Sequence, residues 1–352
     1  MKDNKWMIYG ANGYTGRLVV DEALQRGLKP VLAGRDEQVQ VLADEKGLEA
    51  NIFALDELEN VIEKLSGFSV VANCAGPFSA TANKMISSCL KSQTHYIDIT
   101  GEIPVYQFAH SIKEKAKSAG IVVCPGVGFD VIPTDCLAAH LKEKMPDATY
   151  LALGFAMKGS KASKGTAKTA VQGMAYGGRV REGGKMKEVP FAYKEREIDF
   201  GFGPVNTITI PWGDVYTAYH STGIPNIEVY FPRSPKGAVQ LRKRQKYMRF
   251  MKIGWVQKLV QNRIDKTWKP NTPEQRAEAK SYVWGEVTNE SGETLQGRFT
   301  TVDGYDLTAF GTVEVAQHLI GNHDKSGFFT PSLLMGKELL ERMPGFSGIE
   351  YR

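Results

Sequence analysis

The chain has 352 residues, 42% hydrophobic and 24% charged, with a formal net charge of +5. That balance excludes general disorder, and the length suggests two domains with room for a further element. No apolar stretch approaches the roughly 18 residues that span a bilayer, and the polar start, Met1 to Lys5, carries no signal-peptide pattern.

In chain order, strands are predicted at 6–9, 30–33, 50–54, 69–73, 95–99 and 121–124. Helices at 14–26, 37–46, 57–65, 82–91 and 104–118 alternate with them. That rhythm implies a parallel, doubly wound sheet with helices on both faces. After Pro125 the rhythm changes. Helices are expected at 134–144 and 166–176, and strands at 149–157, 205–210 and 227–231. A long basic helix is expected at 236–263. The alternating runs 282–288 and 294–302 flank Glu290-Ser-Gly292, a hairpin signal. The second part is therefore α+β with a partly antiparallel sheet, and helices at 306–319 and 332–342 close the chain.

The first strand runs into Gly10-Ala-Asn12-Gly13-Tyr14-Thr15-Gly16. Glycines at this place permit a tight turn, let backbone approach a pyrophosphate and let helix pack closely on strand. The helix N-terminus offers amide groups to the phosphates. The second strand ends in Gly34 and Arg35 where NAD-binding sites carry an acid. A guanidinium there pairs with a 2′-phosphate, which favours NADP(H). The alternative is a solvated Arg35 beside Asp36, an acid suited to cap the next helix.

Asn73-Cys-Ala75-Gly76-Pro77 ends the fourth strand, where ligands sit in such sheets. It is expected to contact the nicotinamide side of the cofactor, or to be a plain turn. Tyr96, Asp98 and Glu102 end the next strand. Buried charges there must be paired, so they are either catalytic or structural hydrogen-bond hubs. Phe129 and Asp130 lie in a glycine-rich hinge at 125–135, and Lys164 and Thr166 in a glycine loop before a helix. All four are substrate-binding candidates, the loop suiting a carboxylate or phosphate; a bare surface loop is the alternative.

These motifs resemble the saccharopine dehydrogenase-like oxidoreductases in type and order, with Lys164-Gly-Thr-Ala167, Tyr305, Thr308 and Gly327-Phe-Phe-Thr-Pro331 extending the likeness. The resemblance implies an NADP-binding Rossmann domain, a mixed-sheet second domain and C-terminal helices that return to the first. The segments expected are 1–128, 129–304 and 305–352. The same group includes trans-acting enoyl reductases, which this short chain resembles more than it does the lysine-pathway enzymes. The expected activity is NADP(H)-dependent hydride transfer to a C=C, C=N or C=O bond, on an acyl thioester or lipid among other substrates. The alternatives are a non-catalytic NADP(H) sensor or assembly protein, and an amino-acid pathway dehydrogenase.

Charge is uneven: residues 151–285 hold 24 Lys+Arg against 10 Asp+Glu. Residues 242–255 mix basic side chains with Met, Phe, Ile and Trp, as interfacial helices do, so a peripheral membrane or acyl-carrier contact is an expectation. A helix packed on its own core is the alternative. A small-molecule or acyl substrate and a second copy of the chain are the other expected partners, with no nucleic acid. The four cysteines are not in CxxC spacing and the six histidines show no metal-ligand spacing, so no metal is expected. Few, mostly apolar-flanked thiols suit a cytoplasmic location.

Overall fold

The computed structural model describes residues 4–173, 177–248, 253–267, 271–321 and 324–352. The chain divides into two compact units, 1–132 with 305–339, and 133–304 with 340–352.

The first unit opens with β1 (Trp6–Tyr9), α1 (Tyr14–Gln25), β2 (Val31–Gly34), α2 (Gln38–Lys46), β3 (Ala50–Ile52) and α3 (Leu58–Leu65). It continues through β4 (Val70–Asn73), α4 (Phe78–Ser92), β5 (His95–Asp98), α5 (Ile103–Ser111), α6 (Lys113–Ser118) and β6 (Val122–Cys124). All pairings are parallel, in the order β6-β5-β4-β1-β2-β3. Strands β1, β2 and β4 are buried at every residue. Apolar runs without alternation are what a sheet covered on both faces requires. Chain order reverses between β1 and β4, which makes their carboxyl ends the switch point of the sheet. Two expectations change. The helix expected at 104–118 is two helices parted at Ile112, and the helix expected at 82 starts at Phe78.

The second unit carries α7 (Ile132–Lys144), β7 (Tyr150–Lys158), α8 (Lys164–Gly173), β8 (Gly178–Glu182), β9 (Lys185–Val189), β10 (Glu195–Asp199) and β11 (Pro204–Thr209). Then come α9 (Asp214–Thr222), β12 (Asn226–Pro232), α10 (Pro235–Met248), α11 (Gly254–Thr267), α12 (Pro273–Glu278), β13 (Lys280–Thr288) and β14 (Thr294–Thr301). The C-terminal segment forms α13 (Gly304–Ile320), β15 (Gly327–Phe328), α14 (Pro331–Met335), a 3-10 turn at Lys337–Arg342 and β16 (Glu350–Tyr351).

The second sheet runs β10-β11-β12-β7-β13-β14-β16, with β8 on β12 and β9 on β8. Among the described residues of this sheet only β12 and β7 pair in parallel, so the sheet is mixed. Helix α7 lies across β13 and β14 where two glycines leave room: a Cβ on Gly285 or Gly297 would stand 2.9 or 3.1 Å from Leu141 or Leu137. The opposite face gathers Phe200, Tyr230 and Trp284. Charged residues alternate through 178–199 and give no apolar signal, yet three strands form there. Gly183 and Gly184, both at positive φ, turn the first hairpin, and an ion pair from Arg179 to Glu188 spans it.

The long basic helix expected at 236–263 is two helices, with a bend at Ile253; residues 249–252 of the 242–255 segment lie outside the described residues. The expected 305–352 segment also divides. Strand β15 extends the first sheet beside β6, and Gly128 and Val127 approach α13 so closely that a Cβ on Gly128 would stand 2.8 Å from Thr308. Strand β16 instead pairs with β14, which places 340–352 in the second unit. Among the described residues no helix is long and apolar enough to cross a membrane.

Candidate functional site

The glycine turn joins β1 to α1 at the switch point. Gly10 has φ +81°, and a Cβ there would stand 2.8 Å from the Ala75 amide nitrogen. A Cβ on Gly16 would stand 2.2 Å from the Gly10 carbonyl oxygen, so the first turn of α1 rides directly on the turn. Gly13 is the N-cap of α1, with no side-chain cap and no acid in the first helical turn. No carboxylate therefore competes there with an anion, which the helix dipole favours. Tyr14 sets its ring edge-on to Tyr305 at 5.1 Å. The Asn12 carbonyl accepts from Arg17 Nε at 3.2 Å, and Thr15 is half-buried in the first turn of α1.

At the end of β2, a Cβ on Gly34 would stand 3.0 Å from Val39 Cγ2, the tight neighbour, and at ordinary contact distance, 3.7 Å, from Asn12 Oδ1. Arg35 is exposed. Its charge reaches the Tyr9 phenol, which burial pushes up to about 12 against the pull of Arg35. Asp36 accepts the Gln38 amide at 2.9 Å and so starts α2. Together these features fit the pyrophosphate and ribose of a dinucleotide, and the chain has the framework of an NAD(P)-binding site.

Across the switch point, Asn73 is buried and fixes the next loop. Its Oδ1 accepts from the Ala75 amide at 3.1 Å, and its Nδ2 donates to Thr81 Oγ1 and to Tyr96 Oη, each at 3.2 Å. Thr81 returns a bond to the Ala75 carbonyl at 2.7 Å. Pro77 follows a cis peptide and is the N-cap of α4. That cap makes no side-chain hydrogen bond of its own. Glu102 supplies one: its Oε1 and Oε2 accept from the Phe78 and Ser79 amides, each at 2.9 Å.

Tyr96 and Asp98 are buried completely. Tyr96 donates to Asp98 Oδ2 at 2.6 Å, while Asp98 Oδ1 accepts from the amides of Thr100 and Gly126 at 3.0 and 2.9 Å. Asp98 therefore ties the loop after β5 to the loop after β6. Burial raises its carboxyl to about 6, against those hydrogen bonds, and holds the Tyr96 phenol well above its usual range. Of the three catalytic candidates, all are engaged with the scaffold: Tyr96 and Asp98 as a buried pair, Glu102 as a helix cap.

Asp130 has a different setting. It is half-buried, its carboxylate packs on Gly101, where a Cβ would stand 3.0 Å from Oδ2, and burial lifts it to about 7, with Glu102 and Asp98 adding to the effect. A carboxyl poised near 7 exchanges protons readily at neutral pH. Composition and spacing gave it no such role, because the shift comes from burial and from two acids distant in sequence. Phe129 is buried, and its amide donates to Thr308 Oγ1 at 3.0 Å, so it anchors α13. Lys164 and Thr166 are exposed at the start of α8 in the second unit. The residue missed there is Ser163, whose Oγ accepts the Thr166 amide at 3.1 Å and caps α8; a serine three residues before a helical threonine is the signal that finds it.

Residues 6–124 match the family model of the saccharopine dehydrogenase NADP binding domain. A saccharopine dehydrogenase-like oxidoreductase of Bos taurus is 26% identical over 213 residues, covering 52% of this chain and 50% of that one. A trans-acting enoyl reductase of Mycobacterium ulcerans (strain Agy99) is 28% identical over 144 residues, covering 38% and 34%. The chain spans about half the length, or less, of these curated relatives. Apo histidine-tagged saccharopine dehydrogenase (L-Glu forming) from Saccharomyces cerevisiae shares the fold over 99% of both chains, with a TM-score of 0.65 and 10% identity.

Proposed function

We propose that this chain, whose sequence and fold match the saccharopine dehydrogenase-like NADP-binding oxidoreductases, is an NADP(H)-dependent reductase of an unsaturated C=C, C=N or C=O bond. The observation that carries the reading is the uncapped, acid-free start of α1 over the Gly10–Gly16 turn, with Gly34 and Arg35 at the end of the neighbouring strand. The α1 amides hold the pyrophosphate, and Arg35 pairs with the 2′-phosphate. The Asn73–Pro77 loop lies at the switch point on the nicotinamide side. When bound, the cofactor supplies the hydride.

The chain's own contribution is placement and a proton. Asp98 and Glu102 hold the loops after β4, β5 and β6 in register. Asp130, at about 7, is the group that gives a proton to the reduced substrate. The likeness to a trans-acting enoyl reductase favours an α,β-unsaturated acyl thioester. A non-catalytic sensor would bind NADPH and oxidise none of it with any enone, imine or acyl thioester.

The test is titration with NADPH and NADH by tryptophan quenching, with Arg35→Ala alongside. Preference for NADPH, lost in the variant, is the expected result. Equal binding of both nucleotides by the unmodified chain overturns the assignment of Arg35.

A further inference from the structure

Helix α11 presents two unlike faces. Val256, Val260 and Ile264 recur every fourth residue and are half-buried or buried. That is the spacing by which a helix lays one stripe on its own unit. The opposite stripe is 255, 258, 259, 262, 263 and 266, all exposed. It carries Trp255, 71% exposed, and Leu259, 65% exposed, one turn apart. Ile253 at the preceding bend is also exposed. A large aromatic and a leucine adjacent on a helix already packed by its other side serve no core.

The same stripe is cationic. Lys258, Arg263 and Lys266 flank the two apolar side chains. The surrounding segment, 233–269, holds twelve Lys+Arg and a single acid, Asp265. The stripe lines neither the hollow of about 770 Å³ beside Pro232–Gly237 nor that of about 240 Å³ among Tyr150, Arg181 and Glu286. A helix stripe bearing tryptophan and leucine among lysine and arginine matches a fluid anionic surface. The aromatic enters the headgroup layer, leucine reaches the acyl boundary and the cations meet lipid phosphates.

We propose that α11 is a peripheral docking surface for an anionic phospholipid bilayer, with Trp255 and Leu259 as the inserted wedge. The inference stands apart from the reductase reading, since it uses none of the same residues.

The experiment is co-sedimentation of the full chain with vesicles of phosphatidylcholine containing about 30% phosphatidylserine, and with pure phosphatidylcholine, at about 50 mM and about 500 mM salt. Binding to the anionic vesicles at low salt, weakened at high salt, with a blue shift in tryptophan emission, is expected. The W255A/L259A variant, which removes only exposed side chains, should lose at least about tenfold in vesicle partitioning while keeping its melting temperature and its NADPH titration. The charge variant K258E/R263E should lose the salt-dependent part. Absence of binding by the unmodified chain at low salt overturns the proposal, as does undiminished binding by W255A/L259A. A dimer that W255A/L259A converts to monomer, or an acidic carrier protein whose binding that variant abolishes, without any vesicle binding, assigns the face to another partner and also overturns it.

Discussion

Glu102 and Phe78 belong to neighbouring strand–helix units, yet the Glu102 carboxylate stands 2.9 Å from the Phe78 amide and supplies the N-terminal cap that α4 lacks in its own sequence. The turn thus anchored follows Gly76 and Pro77 at the end of β4. A site loop is held by a residue that approaches from the next strand.

Removing that cap should weaken both the helix and the loop. Glu102→Ala should cost about 1–2 kcal/mol in urea unfolding and lower NADPH affinity, and Glu102→Gln, with one acceptor oxygen, should fall between. If Glu102→Ala instead abolished turnover while leaving stability and cofactor affinity intact, Glu102 would be a proton donor and not a cap.

Tyr96→Phe separates the same two roles for the buried pair. The hydroxyl lost donates to Asp98 and accepts from Asn73. Leaving a buried carboxylate oxygen without its donor costs about 1–3 kcal/mol. Denaturant midpoints should fall accordingly. Loss of turnover at unchanged stability would make Tyr96 catalytic.

The pH dependence follows from two raised carboxyls, Asp98 at about 6 and Asp130 at about 7, both lifted chiefly by burial. In the unfolded chain each ionises near 4. The stability contributed by their neutral forms is therefore fully present below that value and is lost as pH rises through the folded values. Urea midpoints should decline from about pH 4 to pH 7 from this source, and Asp130→Asn should flatten the upper part of the decline. If Asp130 donates the proton, NADPH-dependent turnover should also fall as pH climbs past about 7, and Asp130→Asn should lose most of it.

In the second unit, Gly285→Ala probes how closely α7 lies on the sheet. Its Cβ would stand 2.9 Å from Leu141 Cδ1 and 3.1 Å from Leu137 Cδ2. Leucine ends can yield, so the cost should be about 1–3 kcal/mol, read by thermal unfolding. A neutral result would mean that the helix shifts freely on β13.

The first sheet was legible because a covered parallel strand writes itself as a short apolar run, as in Trp6–Tyr9 and Val70–Asn73. The glycine turn was legible because its backbone needs are local. The strands at 178–199 were not, since Arg179, Glu188 and Arg196 alternate with few apolar neighbours and pair across strands that no local pattern reveals. The long basic helix failed for the reverse reason. A periodic pattern ran on through a bend at Ile253 that only the backbone discloses. Glu102 was visible as an acid at a strand end, but its partners, Phe78 and Ser79, could be found only in three dimensions.

The first unit is assembled from two stretches of chain, with residues 133–304 between them. During synthesis, α13 and β15 emerge only after residues 133–304 have left the ribosome. Until then Val127 and Gly128 lack the helix that packs on them, and the β6 edge lacks its last neighbour. The nascent first unit must wait in an incomplete state, with an open strand edge that invites mispairing. Ribosome stalling before Tyr305 would be felt at the dinucleotide turn, because Tyr14 would lack its ring partner.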